Sequence, residues 1–359
     1  MKLRWKILLG VAVVMTTLIA TPIFYIETQC RAPLPGLSPA SPYRAMLTDP
    51  TDQRPEARTW LTYPEWYIVY SAESFARYLR SGPPSGFDYG REIAGFWTGY
   101  CALNRATTGS QAAGDAKLMI YTIGISYSVE LAVKAGYENV IGRLSEWISG
   151  WRSADDYYAA AVQTRYGVFM HETPWYAFPF GEALKGEWRT HEPHAHVRHW
   201  ERRGALSLEY GVKAVYAKLI GWASGTTLGQ DEHLIRIVVR ATPAMVRTVD
   251  PRLRVVRALP GDFLVIEAPR YAQFTDLLGK LAGSPIKLVE IAGNDDIFVT
   301  ALAQKKARPI TGAVPLLHMA LADRPGWERI GLAVKVRNLL PLMRNLAKRG
   351  DEIEHVYDY

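Results

Sequence analysis

The chain of 359 residues is 48% apolar and 21% charged, which excludes a disordered protein and allows two domains with cores of their own. Its net charge of +7 is not concentrated: residues 1–6 hold three basic side chains, and residues 7–230 hold 20 basic and 20 acidic ones. A nucleic-acid-binding protein needs a concentrated basic face to displace counterions from phosphate. The charge distribution therefore argues against that class.

Residues 1–28 are predicted to form a cytoplasmic leader and a transmembrane anchor. Lys2, Arg4 and Lys6 precede twenty uncharged residues, 7–26, which as a helix would span about 30 Å, the thickness of a hydrocarbon core. A cleaved signal peptide is less favoured, because Leu18 stands where a cleavage site after Ala20 needs a small residue. The basic leader should stay in the cytoplasm, so we expect a single-pass inner-membrane protein whose bulk is periplasmic.

Residues 29–58 are predicted to be an extended spacer outside any core. Six prolines fall in this segment, at positions 33, 35, 39, 42, 50 and 55. Cys30, near its start, is a candidate disulfide partner of Cys101, because thiols outside the cytoplasm oxidise if the fold brings them together. Two unrelated thiols are the alternative. Neither cysteine stands in a redox or metal-binding spacing.

Residues 59–228 are predicted to form an aromatic-rich helical domain built from two copies, about 71–150 and 153–225. Ser128–Tyr137 returns 79 positions later as Ser207–Tyr216, and an aromatic and glycine pattern around residues 87–97 returns 91 positions later. Each copy is expected to contain a helix, a turn and two further helices. The first helices should begin near Ser71 and Ser153 as caps, and should stop before Pro83 and Pro174.

The last helix of each copy carries an apolar stripe and a Glu-Lys pair. The stripes are Val129, Val133, Tyr137 and Val140 in one copy, and Leu208, Val212, Tyr216 and Leu219 in the other. The pairs, Glu130 with Lys134 and Glu209 with Lys213, have the spacing of solvated salt bridges along a helix flank. Alternatively, a pseudo-twofold axis brings both pairs together over a polar pocket. The ligand-binding candidates are therefore Glu130, Lys134, Tyr137, Glu209, Lys213 and Tyr216.

The tryptophan and tyrosine enrichment of this domain has two interpretations. Aromatic side chains suit a domain that rests on the lipid interface, and they equally suit an aromatic core. A membrane-spanning helix is less favoured here, because only twelve uncharged residues, 118–129, precede Glu130.

Residues 229–359 are predicted to form a duplicated ferredoxin-like α+β domain with copies at about 252–292 and 316–357. The pattern predicts strands at 234–239, 254–259, 263–267, 286–291, 297–302, 316–321, 329–335 and 353–356, and helices at 271–281 and 339–346. Two β-α-β units joined by a hairpin of the strands at 297–302 and 316–321 would build one split β-α-β sandwich. This fold carries almost no functional information.

Few motifs indicate chemistry. The tract from His191 to His199 also contains His194 and His196 and could chelate a metal, but Pro193 prevents a helix from aligning the ligands. A solvated, partly protonated loop is the favoured interpretation. The motifs of serine hydrolases, zinc proteases and nucleotide-binding enzymes do not occur, and neither does the Glu-x-x-His pattern of di-metal bundles. No cofactor and no catalytic residue are predicted.

Three runs, Trp60–Val69, Tyr137–Leu144 and Trp200–Arg203, resemble an uncharacterised family of membrane-anchored proteobacterial proteins, over most of the chain. The resemblance implies a bacterial envelope setting and no activity. Together these features predict a membrane-anchored periplasmic binding or assembly component for a partner protein or a lipid-like ligand. The alternative is an envelope enzyme with a carboxylate-based site between the two helical copies.

Overall fold

The computed structural model describes residues 3–34, 43–54, 59–224, 234–305, 310–321 and 323–358. The protein is α+β, as predicted, with helices followed by two four-stranded antiparallel sheets. It divides into two compact units. The helical unit comprises Met1–Thr21, Glu65–Phe96 and Thr122–Thr227, and the sheet unit comprises Pro22–Pro64, Trp97–Tyr121 and Leu228–Tyr359.

The helices before the sheets are, in chain order, α1 (Leu3–Gln29), α2 (Tyr63–Tyr78), α3 (Tyr89–Ala106), α4 (Gln111–Tyr137), α5 (Arg143–Ser149), α6 (Ala154–Phe169), α7 (Phe180–Glu187) and α8 (His196–Ser224). A π-helical segment, Glu138–Gly142, joins α4 to α5. Single 3-10 turns, Pro84–Gly86 and Trp175–Ala177, precede α3 and α7. Residues 7–26, the predicted anchor, lie within α1.

One of the two predicted helix starts is confirmed. Ser153 caps α6: its hydroxyl accepts a hydrogen bond from the Asp156 backbone N–H, and the Asp156 carboxylate accepts one from the Ser153 N–H. The predicted start near Ser71 is wrong, because α2 begins at Tyr63 and the Ser71 hydroxyl instead accepts a hydrogen bond from Tyr127 at 2.6 Å. Both helices end before their prolines, as predicted.

The sheet unit contains β1 (Leu234–Arg240), α9 (Pro243–Val249), β2 (Arg254–Leu259), β3 (Phe263–Pro269), α10 (Ala272–Ala282), β4 (Lys287–Ile291), β5 (Asp296–Gln304), β6 (Val314–Ala320), β7 (Trp327–Lys335), α11 (Val336–Arg349) and β8 (Glu352–Tyr357). The predicted strands and both predicted helices are confirmed. The short helix α9 was not predicted, because seven residues form only two turns and show no periodic pattern. Thr242 caps this helix, and Pro243 occupies its first turn.

The pairing of the strands differs from the prediction. The sheet orders are β2-β3-β1-β4 and β6-β7-β5-β8, so each sheet by itself is consistent with a ferredoxin-like arrangement. The predicted hairpin of β5 and β6 is wrong, because β7 lies between them and pairs with both. One apolar core, to which α10 and α11 contribute, extends over both sheets.

Part of the predicted spacer contributes to this unit. The buried carboxylate of Glu290 on β4 accepts hydrogen bonds from the Tyr43 hydroxyl at 2.8 Å and from the Leu47 backbone N–H at 2.9 Å. Leu47 is fully buried against Val238 and Val265. The interpretation as a spacer outside the core is therefore corrected for residues 43–54, whereas residues 35–42 and 55–58 lie outside the described part.

A disulfide bond joins Cys30 to Cys101, 71 positions apart, within the sheet unit. The Asn104 side-chain amide donates a hydrogen bond to the Cys30 carbonyl at 2.8 Å. Glu27 accepts hydrogen bonds from Lys117 at 3.0 Å and from Tyr121 at 2.6 Å. The end of α1 is therefore held to α3 and α4 by covalent and polar contacts.

Candidate functional site

Helices α4 and α8 lie side by side in the helical unit and run antiparallel. Lys134 of α4 lies 3.0 Å from a carboxylate oxygen of Glu209 on α8. Glu130, one turn earlier on α4, lies 2.8 Å from Lys213, one turn later on α8. The structure therefore brings four of the predicted ligand-binding residues together in reciprocal pairs across the two helices.

These four residues, the charge tetrad, are not solvated flank pairs. The side chains of Lys134, Lys213 and Glu209 are only 16–21% exposed, whereas that of Glu130 is 49% exposed. Within α8, Lys213 also contacts Glu209 at 3.2 Å, as its spacing predicts. Burial opposes ionisation of Glu209, but Lys134 and Lys213 outweigh it and hold its pKa well below the usual range. Glu209 is therefore an anion and not a proton donor.

Each lysine of the tetrad also lies over aromatic rings. The Lys134 ammonium is 4.5 Å from the centre of the Phe75 ring, and the Lys213 ammonium is 5.5 Å from that of Tyr166. A cation over an aromatic face is stabilised by the ring quadrupole. The two sets of packed rings are Phe75, Phe87 and Tyr89 in the first half of the unit, and Tyr166, Phe178 and Phe180 in the second.

A small cleft of about 60 Å³ opens beside the tetrad. The four charges line it together with Ile68, Ala72, Tyr127, Leu131 and four of the rings, Phe75, Phe87, Tyr89 and Tyr166. This volume holds a few water molecules, whereas sites for drug-sized ligands measure about 300–1,000 Å³. The cleft therefore has no room for a lipid-like molecule.

A second set of buried charges continues along the α4–α8 interface. Arg198 is fully buried and lies 2.7 Å from Asp156 and 3.0 Å from Glu201. Arg202 donates two hydrogen bonds to Glu138, at 2.9 and 3.0 Å. The π-helical segment turns the Glu138 carboxylate inward, where a Cβ on Gly142 would overlap it.

No sequence motif marks these residues as a site. Positions 198, 202, 209 and 213 recur at helical spacing and all carry charge, so a charged stripe on α8 could have been recognised. Charged side chains on a helix are normally exposed, which is why the Glu-Lys pairs were predicted to be solvated.

Apart from Tyr137, most residues of the predicted apolar stripes lie on the side of the helices that faces away from the tetrad: Val133 is 66% exposed and Leu208 is 70% exposed. We call this surface the outward face; its exposed members are Val133, Val140, Leu144 and Trp147 on α4–α5, and Leu208, Val212, Val215 and Leu219 on α8.

The two candidate tyrosines do not behave as a pair. The Tyr137 hydroxyl donates a hydrogen bond to the Glu201 carboxylate at 2.8 Å, so it belongs to the buried charges. Tyr216 is half exposed and its ring lies 5.5 Å from that of Trp175. The structure therefore places only Tyr137 inside the α4–α8 interface.

The histidine tract is split between solvent and interior. His191, His194 and His196 are exposed, whereas His199 is buried and contacts Asp155 at 2.7 Å. Within the described part of the chain, no group of three or more His, Cys, Asp or Glu residues could hold a metal ion.

Glu187 is fully buried beside Asp155. The Asp155 carboxylate is a hydrogen-bond partner of its carboxyl group, which favours the protonated form of Glu187. Burial, reinforced by the charge of Asp155, raises the pKa of Glu187 to about 8. The side chain therefore carries a proton at neutral pH.

This proton makes stability depend on pH. Between about pH 4.5 and pH 8 the unfolded state loses a proton that folded Glu187 keeps, so stability falls as pH rises, by at most about 1.4 kcal/mol per pH unit. We expect Glu187→Gln to abolish this contribution, so that its stability relative to wild type increases from pH 5 to pH 8 in urea denaturation. Exposed Glu182→Gln is the control, and parallel profiles for Glu187→Gln and wild type would contradict the assignment.

By length and composition, one helical stretch among the described residues could cross a membrane. This stretch is Ala113–Ser149, and 22% of its most apolar 18-residue segment is buried. Core helices of soluble proteins meet the same criterion, so this finding is weak evidence for a span.

The chain matches no protein-family model, no curated protein and no solved structure.

Proposed function

We propose that the protein is a membrane-anchored binding component of the bacterial cell envelope. In this proposal, residues 7–26 within α1 cross the inner membrane and the remaining chain is periplasmic. The helical unit then binds a partner protein or a lipid-like ligand through its outward face. The observation that carries the proposal is the arrangement of the α4–α8 pair, which buries most of the charge tetrad and leaves a row of valines and leucines on the surface.

This arrangement is unfavourable for a helix pair surrounded by water. Soluble monomers rarely expose contiguous apolar patches of more than a few hundred Å², and larger patches mark interaction sites. Val133, Val140, Leu208, Val212 and Leu219 are each more than half exposed on the same side of two adjacent helices. A partner that covers them would remove apolar area from water, which is worth about 25 cal/mol per Å².

The same proposal includes an internal duplication of both units. In the helical unit the 3-10 turns at Pro84 and Trp175, and the helix starts at Tyr89 and Phe180, are each 91 positions apart. The two sheets share one strand order. Duplication would explain why the tetrad is reciprocal, because a pseudo-twofold axis between α4 and α8 exchanges Lys134 with Lys213.

An enzyme with a site between the helices is the weaker alternative. Carboxylate-based acid catalysis needs a carboxyl group that holds a proton near the working pH. Two lysines lower the pKa of Glu209, which removes it from that role. The geometry therefore favours binding over catalysis.

Photocrosslinking in living cells tests the binding proposal. A photoreactive amino acid placed at Leu208 of the full-length protein should give adducts with a protein or a lipid, because this side chain is 70% exposed on the outward face. The control position is Lys185 on α7, which is 64% exposed and lies on a charged surface beside Glu182. Absence of adducts at Leu208 would refute the proposed function.

A further inference from the structure

We infer that the outward face is a lipid-contacting surface that lies in one leaflet of a bilayer, with α4–α5 and α8 parallel to the membrane plane. This inference rests on the proposed function and specifies the occupant of its binding surface. It differs from the anchor, because it concerns a surface of the folded helical unit and not a spanning segment.

The inner side of α4 and of α8 packs against the rest of the helical unit, so each helix exposes only its other side. Leu131 and Ala135 of α4 pack on the cluster that contains Phe75 and Phe87. Leu206 and Tyr210 of α8 pack on the cluster of Val162, Phe178 and Phe180. Helices covered on one side and apolar on the other suit the interface between headgroups and acyl chains, in which such faces sink about 5–10 Å.

The side chains of the outward face suit contact with lipid hydrocarbon better than contact with a protein partner. Glu130, the half-exposed member of the tetrad, is neutralised by Lys213. Arg143 on α5 and Lys218 on α8 are further exposed charges on these helices. Protein interfaces carry about one hydrogen bond per 100–200 Å² and are framed by polar rims. The aliphatic valines and leucines of the outward face offer no such donors or acceptors, and a lipid leaflet requires none.

Aromatic and basic side chains lie at the end of the face where α5 meets the start of α8. Trp147 is 84% exposed, Trp200 is 61% exposed and Trp188 is 53% exposed. The Arg203 guanidinium lies 5.1 Å from the centre of the Trp188 ring. Arg189, the residue after Trp188, and Arg152, five residues after Trp147, are also exposed. Indole rings prefer the headgroup level of a membrane, and arginines there attract anionic headgroups.

Spin labelling of the complete protein in liposomes tests the inference. The native cysteines are joined in the disulfide, so single added cysteines, Val212→Cys and Val140→Cys, can be labelled without removing them. We expect both labels to collide several-fold more with oxygen, which dissolves in lipid, than with a water-soluble nickel complex. Lys185→Cys is the matched control and should show the reverse preference.

The outcomes separate the inference from the proposed function. Labels at Val212 and Val140 that are shielded from both reagents would mean that protein covers the face; this result refutes lipid contact and leaves the binding proposal intact. Labels as accessible to nickel as Lys185→Cys would mean that water covers the face, which refutes both. Oxygen preference at both positions supports the leaflet arrangement.

Discussion

Replacing Arg198 with methionine should lower the free energy of unfolding of the helical unit by about 4 kcal/mol. Arg198 is fully buried, with Asp156 at 2.7 Å, Glu201 at 3.0 Å and Glu146 at 3.4 Å. Methionine retains much of the side-chain volume but removes the cation shared by three carboxylates, of which Glu201 alone keeps a second arginine partner, Arg202. Removing one partner of a buried ionic group is strongly destabilising, because the remaining charges stay desolvated and unpaired.

Chemical denaturation followed by tryptophan fluorescence measures this effect. The control is Arg189→Met, which removes the same charge from an exposed position and should change stability by less than about 0.5 kcal/mol. Equal stabilities of Arg198→Met and Arg189→Met would show that the buried charges do not depend on Arg198.

Removing the disulfide should destabilise the sheet unit by about 4 kcal/mol. The bond closes a loop of 71 positions, and in the chain-entropy model such a closure restricts the unfolded chain by about that amount. The double variant Cys30→Ser/Cys101→Ser avoids an unpaired thiol. It should unfold at a lower denaturant concentration than oxidised wild type.

Reduced wild-type protein provides the matched comparison for the double variant. Because both lack the covalent link and keep the same neighbours, their unfolding curves should coincide, and added reductant should not change the double variant. If the variant is as stable as oxidised wild type, the contacts of Glu27 and Asn104 alone hold this region together.

Periodicity predicted the elements of the sheet unit well and their assembly poorly. Alternating and helical apolar patterns report which local structure buries side chains, so the strands around Val238 and Ile266 and the helix around Leu277 were predictable. Strand order depends on contacts between distant segments. The insertion of β7 between β5 and β6 joins residues such as Leu332 and Val299 that no local pattern connects.

In the candidate site, too, the residues were predictable from local sequence but their partners were not. The repeated Glu-Lys spacing identified Glu130, Lys134, Glu209 and Lys213, and the antiparallel packing of α4 on α8 then decided their partners. Arg198 and Arg202 remained unassigned, because their carboxylate partners Asp156 and Glu138 come from other parts of the chain.

The amino-acid sequence by itself determined that α4 and α8 each have an apolar side and a charged side, since this follows from residue spacing alone. Only the tertiary structure decided which side faces inward. Opposite charges such as Lys134 with Glu209 and Arg202 with Glu138 offset part of the cost of burying each other, and the aromatic clusters already fill the space beneath both helices. The apolar side is left on the surface, where the proposed function needs it.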